Sequence, residues 1–82
     1  MTDQIRQILA DHARLGVDVA ALADDADLYA AGMTSHASVN VMLALEEEFD
    51  LEFPDRMLTR RVFQSIDAIA DALHELQSRA AA

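Results

Sequence analysis

The side chains with chemical potential are few and scattered. His12, His36 and His74 lie on three separate stretches and form no HxxxH or HExxH spacing, so no metal site is expected. The acidic clusters Asp24-Asp25 and Glu46-Glu47-Glu48 offer paired carboxylates, and Asp24, Asp25 or Glu46 with His36 would be the set for a small acid–base hydrolase. Such work needs a shaped, partly desolvated pocket, which a core this thin is not expected to supply. The chain has no cysteine, which removes disulfides, thiolate zinc sites and cysteine nucleophiles. All six basic residues are arginine, which removes lysine Schiff-base chemistry. No Gly-rich phosphate loop is seen, and no catalytic residue is assigned. What remains is a hydroxyl: Asp27-Leu28-Tyr29-Ala30-Ala31-Gly32-Met33-Thr34-Ser35-His36 delivers Ser35 to the start of an amphipathic stretch. Taken alone, a serine there is most simply an N-cap, worth about 1 kcal/mol.

The elements that must position this serine follow from apolar spacing. Ile5, Ile8, Leu9, His12 and Leu15 recur at helical intervals, with Thr2 suited to cap the helix, Asp3 in its first turn and Gly16 as its stop. Between Gly16 and Thr34 the pattern weakens. A long connection with one short helical turn is expected there, anchored by Leu22, Leu28 and Tyr29. A second helix begins near Ser35 and presents Val39, Met42, Leu43, Glu46 and Phe49 on the face expected to pack. Val41 and Leu45 then fall on the opposite side with Ser38 and Glu48, as a candidate docking stripe. Glu46-Glu47-Glu48 oppose the negative end of that helix's dipole, a placement stability alone would not select. Phe53-Pro54-Asp55 predicts a short third helix with Pro54 in its first turn, running to about Arg60. Ser65 caps a last helix carrying Ile66, Ile69, Ala70, Leu73 and Leu76, and Ala80-Ala81-Ala82 forms a frayed tail.

Composition bounds the whole. A chain of 82 residues with 52% hydrophobic but only 5% aromatic residues, two glycines and one proline favours an all-α bundle over a sandwich or barrel. The expected architecture is a single domain over 1–82, built as a four-helix bundle of three main helices plus one short helix with a long first loop. A net charge of −9 turns away nucleic acid and anionic lipid and favours proteins with basic docking patches. The longest apolar run, Val41-Met42-Leu43-Ala44-Leu45, is far short of the ~20 residues of a membrane span, and Met1-Thr2-Asp3-Gln4 does not open a signal peptide. A soluble, cytoplasmic monomer is expected.

The stretch ending at Ser35 resembles the prosthetic-group motif of the acyl and peptidyl carrier proteins, D-L-x-x-x-G-x-[DH]-S-L, with Asp27, Leu28, Gly32 and Ser35 on the family's positions. Phe63-Gln64-Ser65-Ile66-Asp67-Ala68-Ile69-Ala70 is similar to the segment that opens the carriers' last helix, so the resemblance spans nearly the whole chain. It implies a four-helix carrier bundle whose serine holds phosphopantetheine, made from coenzyme A, through a phosphodiester. The physics agrees: a phosphodiester on Ser35 would meet the free N–H groups and positive end of the second helix, which favour an anion by about 0.3–1 kcal/mol. The arm would also supply the thiol that the chain lacks.

Two residues depart from the family pattern, Thr34 before the serine and His36 after it. They also mark a branch to which the sequence is similar, the aminoacyl carrier proteins loaded by stand-alone ligases that look like the catalytic core of class II tRNA synthetases. The resemblance implies a shuttle that is no enzyme, with a phosphopantetheinyl transferase, an acyl- or aminoacyl-loading ligase and a downstream acceptor enzyme as partners. Docking is expected to centre on Met33, Thr34, His36, Val41, Leu45 and Glu48. The alternatives are a fatty-acid or polyketide acyl carrier, and a non-covalent adaptor that binds a partner helix on the Val41/Leu45 stripe. Arg56, Arg60 and Arg61 are expected to offset neighbouring acids, the alternative being that they ground a partner's carboxylates.

Overall fold

A computed structural model describes residues 1–81, so the last alanine of the tail, Ala82, lies outside the described residues. The first helix, α1, spans Thr2–His12 and buries Ile5, Ile8 and Leu9. Thr2 is already helical and Met1 flanks it without a side-chain cap. The helix also stops earlier than Gly16 would place it. Ala13 closes it by donating to the Leu9 carbonyl, and Arg14 turns left-handed at φ 54°. His12, expected on the packed face, is exposed.

The connection to the second helix holds one 3-10 turn, Val19–Ala21, capped by the Asp18 carboxylate, which accepts from the Ala20 N–H at 3.0 Å. Leu28 is fully buried, while Leu22 and Tyr29 are half-buried against the core. Val19 and Met33 are buried as well. Arg6 of α1 staples the connection from outside, donating to the Val19 carbonyl at 2.7 Å and to Asp24 at 2.6 Å.

Helix α2 spans Ser35–Phe49 and α3 spans Ile66–Ala81. Both pack mainly through α1, which touches each of them. As the sequence predicts, Ser65 caps α3, its hydroxyl accepting from the Ala68 N–H at 3.0 Å, and Ile66, Ile69 and Leu73 enter the core; Ala70 and Leu76 are half-buried against it, and Ala72 is buried as well. The helix expected from Pro54 to Arg60 is one 3-10 turn, Asp55–Met57. Pro54 sits extended at ψ 156° and flanks the turn instead of opening it, and Leu58 leaves helical geometry at ψ 62°. Phe53 and Phe63 close this end of the core with ring centroids 5.3 Å apart. Among the described residues the fold is all-helical, three helices and two 3-10 turns without a strand.

Candidate functional site

The ten residues that lead into α2 form a turn whose parts each have a local job. The Asp27 carboxylate accepts from the Tyr29 N–H at 2.9 Å and the Ala30 N–H at 3.2 Å, capping the turn from within. Leu28 drops into the core, and its N–H donates to the Gln64 carbonyl at 2.7 Å, tying the turn to the residue before the cap of α3. Gly32 takes φ +115°, a conformation side chains oppose, and a Cβ there would also meet the Gly16 nitrogen at 3.4 Å. The Met33 N–H returns to the Leu28 carbonyl at 3.0 Å, and the Met33 side chain is buried. Core contact before and after the glycine thus fixes where α2 begins.

At that point Thr34 and Ser35 divide the work. Thr34 is extended, at φ −83° and ψ 164°, and caps the helix, its hydroxyl accepting from the Ala37 N–H at 3.0 Å. Its carbonyl accepts from the Ser38 N–H. Ser35 is therefore not the cap. It is the first residue of the helix, exposed, and its hydroxyl takes part in no hydrogen bond among the described residues. The N–H groups of Ser35 and His36, in the first turn, lie ahead of any intrahelical acceptor and face outward with the positive end of the dipole.

On one side of Ser35 opens a groove of about 470 Å³ between α2 and the segment before α3, walled by Val39, Met42, Leu58 and Phe63. Arg60 stands in this wall with its guanidinium carbon 4.2 Å from the centroid of the Tyr29 ring. On the other side a smaller recess is lined by Arg14, Gly32, Thr34 and His36. Each side of the serine thus carries an arginine.

The residues expected to dock a partner separate into two groups. Thr34, His36 and Glu48 are exposed, as docking requires. Met33, Val41 and Leu45 are not surface residues: Val41 and Leu45 are 0% exposed and Met33 is buried with them. Of the face expected to pack, Met42 and Phe49 lie half-buried against the core while Val39 and Leu43 are exposed, and the cause is the roll of the helix. Met33 and Ala37 are held in the core, so Val41 and Leu45, spaced every four residues beyond them, follow inward. Ser35 is held outward, and Val39 and Leu43 follow it to the surface at 49% and 53% exposure. An adaptor built on Val41 and Leu45 therefore has no surface to use. The apolar stripe in the structure is Val39 and Leu43, directly in line with Ser35.

The hydrolase set does not assemble. His36 and Glu46 lie at opposite ends of α2, about 15 Å apart along its axis. Asp24 is committed to Arg6, and the Glu46 carboxylate accepts from the Phe53 N–H at 2.8 Å, fastening the chain after α2. Sequence reasoning missed that role of Glu46, and it missed the stacking of Arg60 on Tyr29. Partners so distant in sequence leave no spacing signal.

Comparison with known proteins completes the site. Residues 3–73 match the family model described as a phosphopantetheine attachment site. The chain is 53% identical over 73 residues to an aminoacyl carrier protein of Agrobacterium fabrum (strain C58), covering 89% of this chain and 88% of that protein. It is also similar to a chain in the crystal structure of an engineered Bradyrhizobium japonicum glycine:carrier protein ligase complexed with carrier protein from Agrobacterium tumefaciens and AMP. There the TM-score is 0.88 at 53% identity, over 90% of this chain and 99% of that one. A solution structure of an Agrobacterium tumefaciens protein matches with TM-score 0.76 at 51% identity, covering 100% of both chains.

Proposed function

The chain belongs to the phosphopantetheine attachment family, and from that premise we propose that it is an aminoacyl carrier protein, a single domain over residues 1–82, with Ser35 as its attachment residue. The observation that carries the assignment is the exposed Ser35 hydroxyl, released from capping by Thr34 at the positive end of α2. A phosphodiester fits this place. The oxygen is accessible, two helix N–H groups stand beside it, and Arg60 supplies a positive charge along the groove. When bound, phosphopantetheine supplies the thiol that the cysteine-free chain lacks, so that an aminoacyl group is held as a thioester.

The chain's own residues hold and present the arm, and it has no turnover of its own. Activation of the amino acid belongs to a ligase of the kind complexed with the similar Agrobacterium carrier, which makes glycine the first cargo to test. A phosphopantetheinyl transferase would install the arm, and a downstream acceptor enzyme would take the cargo. The exposed Thr34 and His36 flank the serine and are proposed to contact these partners, with Glu48 at the acidic end of α2. We place the work in the cytoplasm, in keeping with an acidic, cysteine-free composition; among the described residues no helix is long and apolar enough to cross a membrane.

Intact-mass measurement after incubation with coenzyme A and a transferase tests the attachment. The wild type should gain one phosphopantetheine and Ser35→Ala none. Equal addition to both, or none to the wild type, refutes the assignment.

A further inference from the structure

Arg60 is the arginine that the fold holds in place, on the Tyr29 ring, without giving it an acid. Arg6 and Arg56 each meet a carboxylate, Asp24 at 2.6 Å and Glu75 at 2.9 Å. Arg60 meets none within ion-pair distance among the described residues, although the chain carries fifteen acids. It lies over the Tyr29 ring instead, 4.2 Å from the centroid, a distance at which a cation and an aromatic face attract. That contact holds the guanidinium carbon over the ring, and among the described residues the N–H donors of Arg60 make no hydrogen bond. Arg60 and Ser35 share one groove, and Tyr29 belongs to the turn that delivers Ser35, so the charge and the serine are held in one frame.

We infer that Arg60, fixed on Tyr29, is a positioning residue for the arm: its guanidinium edge binds the two non-bridging oxygens of the phosphodiester on Ser35. The inference rests on the attachment proposed above and adds the residue that orients its first atoms. The chemistry is specific. A phosphodiester is a monoanion with two free oxygens, and the planar fork of arginine pairs with both, whereas a lysine offers a point charge and a poorer stack.

The test uses the holo protein labelled with nitrogen-15 at arginine. Attaching the arm should shift the Arg60 Nε–H resonance and leave that of Arg79, in the last turn of α3, unmoved. The phosphorus-31 resonance of the arm should move in Arg60→Gln, remain displaced in Arg60→Lys, and fall between in Tyr29→Leu, which removes the stacking platform. Arg79→Gln should reproduce the wild-type spectrum. Arg60 is exposed and Tyr29 half-buried, and the amide spectra verify that each variant folds. If intact mass shows full modification while the Arg60 resonance is the same in both forms and the phosphorus signal ignores Arg60→Gln, the Arg60 assignment is overturned and the attachment stands. If no mass is gained, the attachment itself is overturned.

Discussion

Neighbouring hydroxyls at the head of α2 do different things, and stability measurements can tell them apart. Thr34 accepts from the Ala37 N–H, so Thr34→Ala should destabilise the fold by about 1 kcal/mol in urea denaturation. Ser35 caps nothing, so Ser35→Ala should change stability by less than about 0.5 kcal/mol while abolishing modification. Gly32 is the third decisive residue. At φ +115° any side chain is strained, and Gly32→Ala should cost roughly 1–3 kcal/mol and slow modification of Ser35, because the same turn aims the serine. Denaturation together with a timed intact-mass assay reads both effects. At this scale the sequence was informative about type and ambiguous about role. Asp27, Leu28, Gly32 and Ser35 were legible through the resemblance to the carrier motif, and the structure then gives Asp27, Leu28 and Gly32 each a job in the turn. Thr34 and Ser35 are both good caps, and only the backbone angles of Thr34 show which one the helix uses.

Among the elements, legibility followed the sharpness of the apolar pattern. In α1 and α3 charged residues alternate with Ile5, Ile8 and Leu9, or with Ile66, Ile69 and Leu73, and the predicted faces are the buried ones. Helix α2 is apolar around most of its circumference, from Val39 through Leu45, so periodicity gives it no phase. Its roll is decided outside it, by Met33 and the turn at Gly32. The stop at Gly16 and the helix expected at Pro54 failed for a related reason. Glycine and proline permit a reversal or a start without requiring one, and here Arg14 turned first and Pro54 stayed extended. The two faces of α2 have measurable consequences. Leu45→Ala should cost about 2–5 kcal/mol, as for a leucine lost from a packed core. Leu43→Ser, on the exposed stripe, should stay within about 0.5 kcal/mol of wild type in the same urea titration. Equal losses from both would mean that the roll described for α2 is wrong.

For the whole molecule the governing quantity is a net charge of −9 on a body measuring 38 × 22 × 20 Å. At about 0.01 M salt the screening length is roughly 30 Å, so nearly every acid repels every other across the fold. At about 0.15 M it falls to roughly 8 Å, and only neighbours interact. Attraction has little to lose in that change, because the described residues contain two ion pairs, Arg6–Asp24 and Arg56–Glu75, both at least partly exposed and each worth at most about 1 kcal/mol. Screening should therefore remove more repulsion than attraction. The Tm should rise as sodium chloride goes from low to physiological concentration, in one cooperative transition if residues 1–82 form the single domain proposed. Binding to a loading ligase should respond in the opposite sense. Where the acidic surface meets a basic patch, the association rate falls with salt while the dissociation rate changes little. Calorimetry and stopped-flow binding over the same salt series separate the two effects. A Tm that drops with added salt would show that local pairs outweigh the net charge. An association rate that ignores salt would show that the apolar stripe of Val39 and Leu43, and not the acidic surface, governs the encounter.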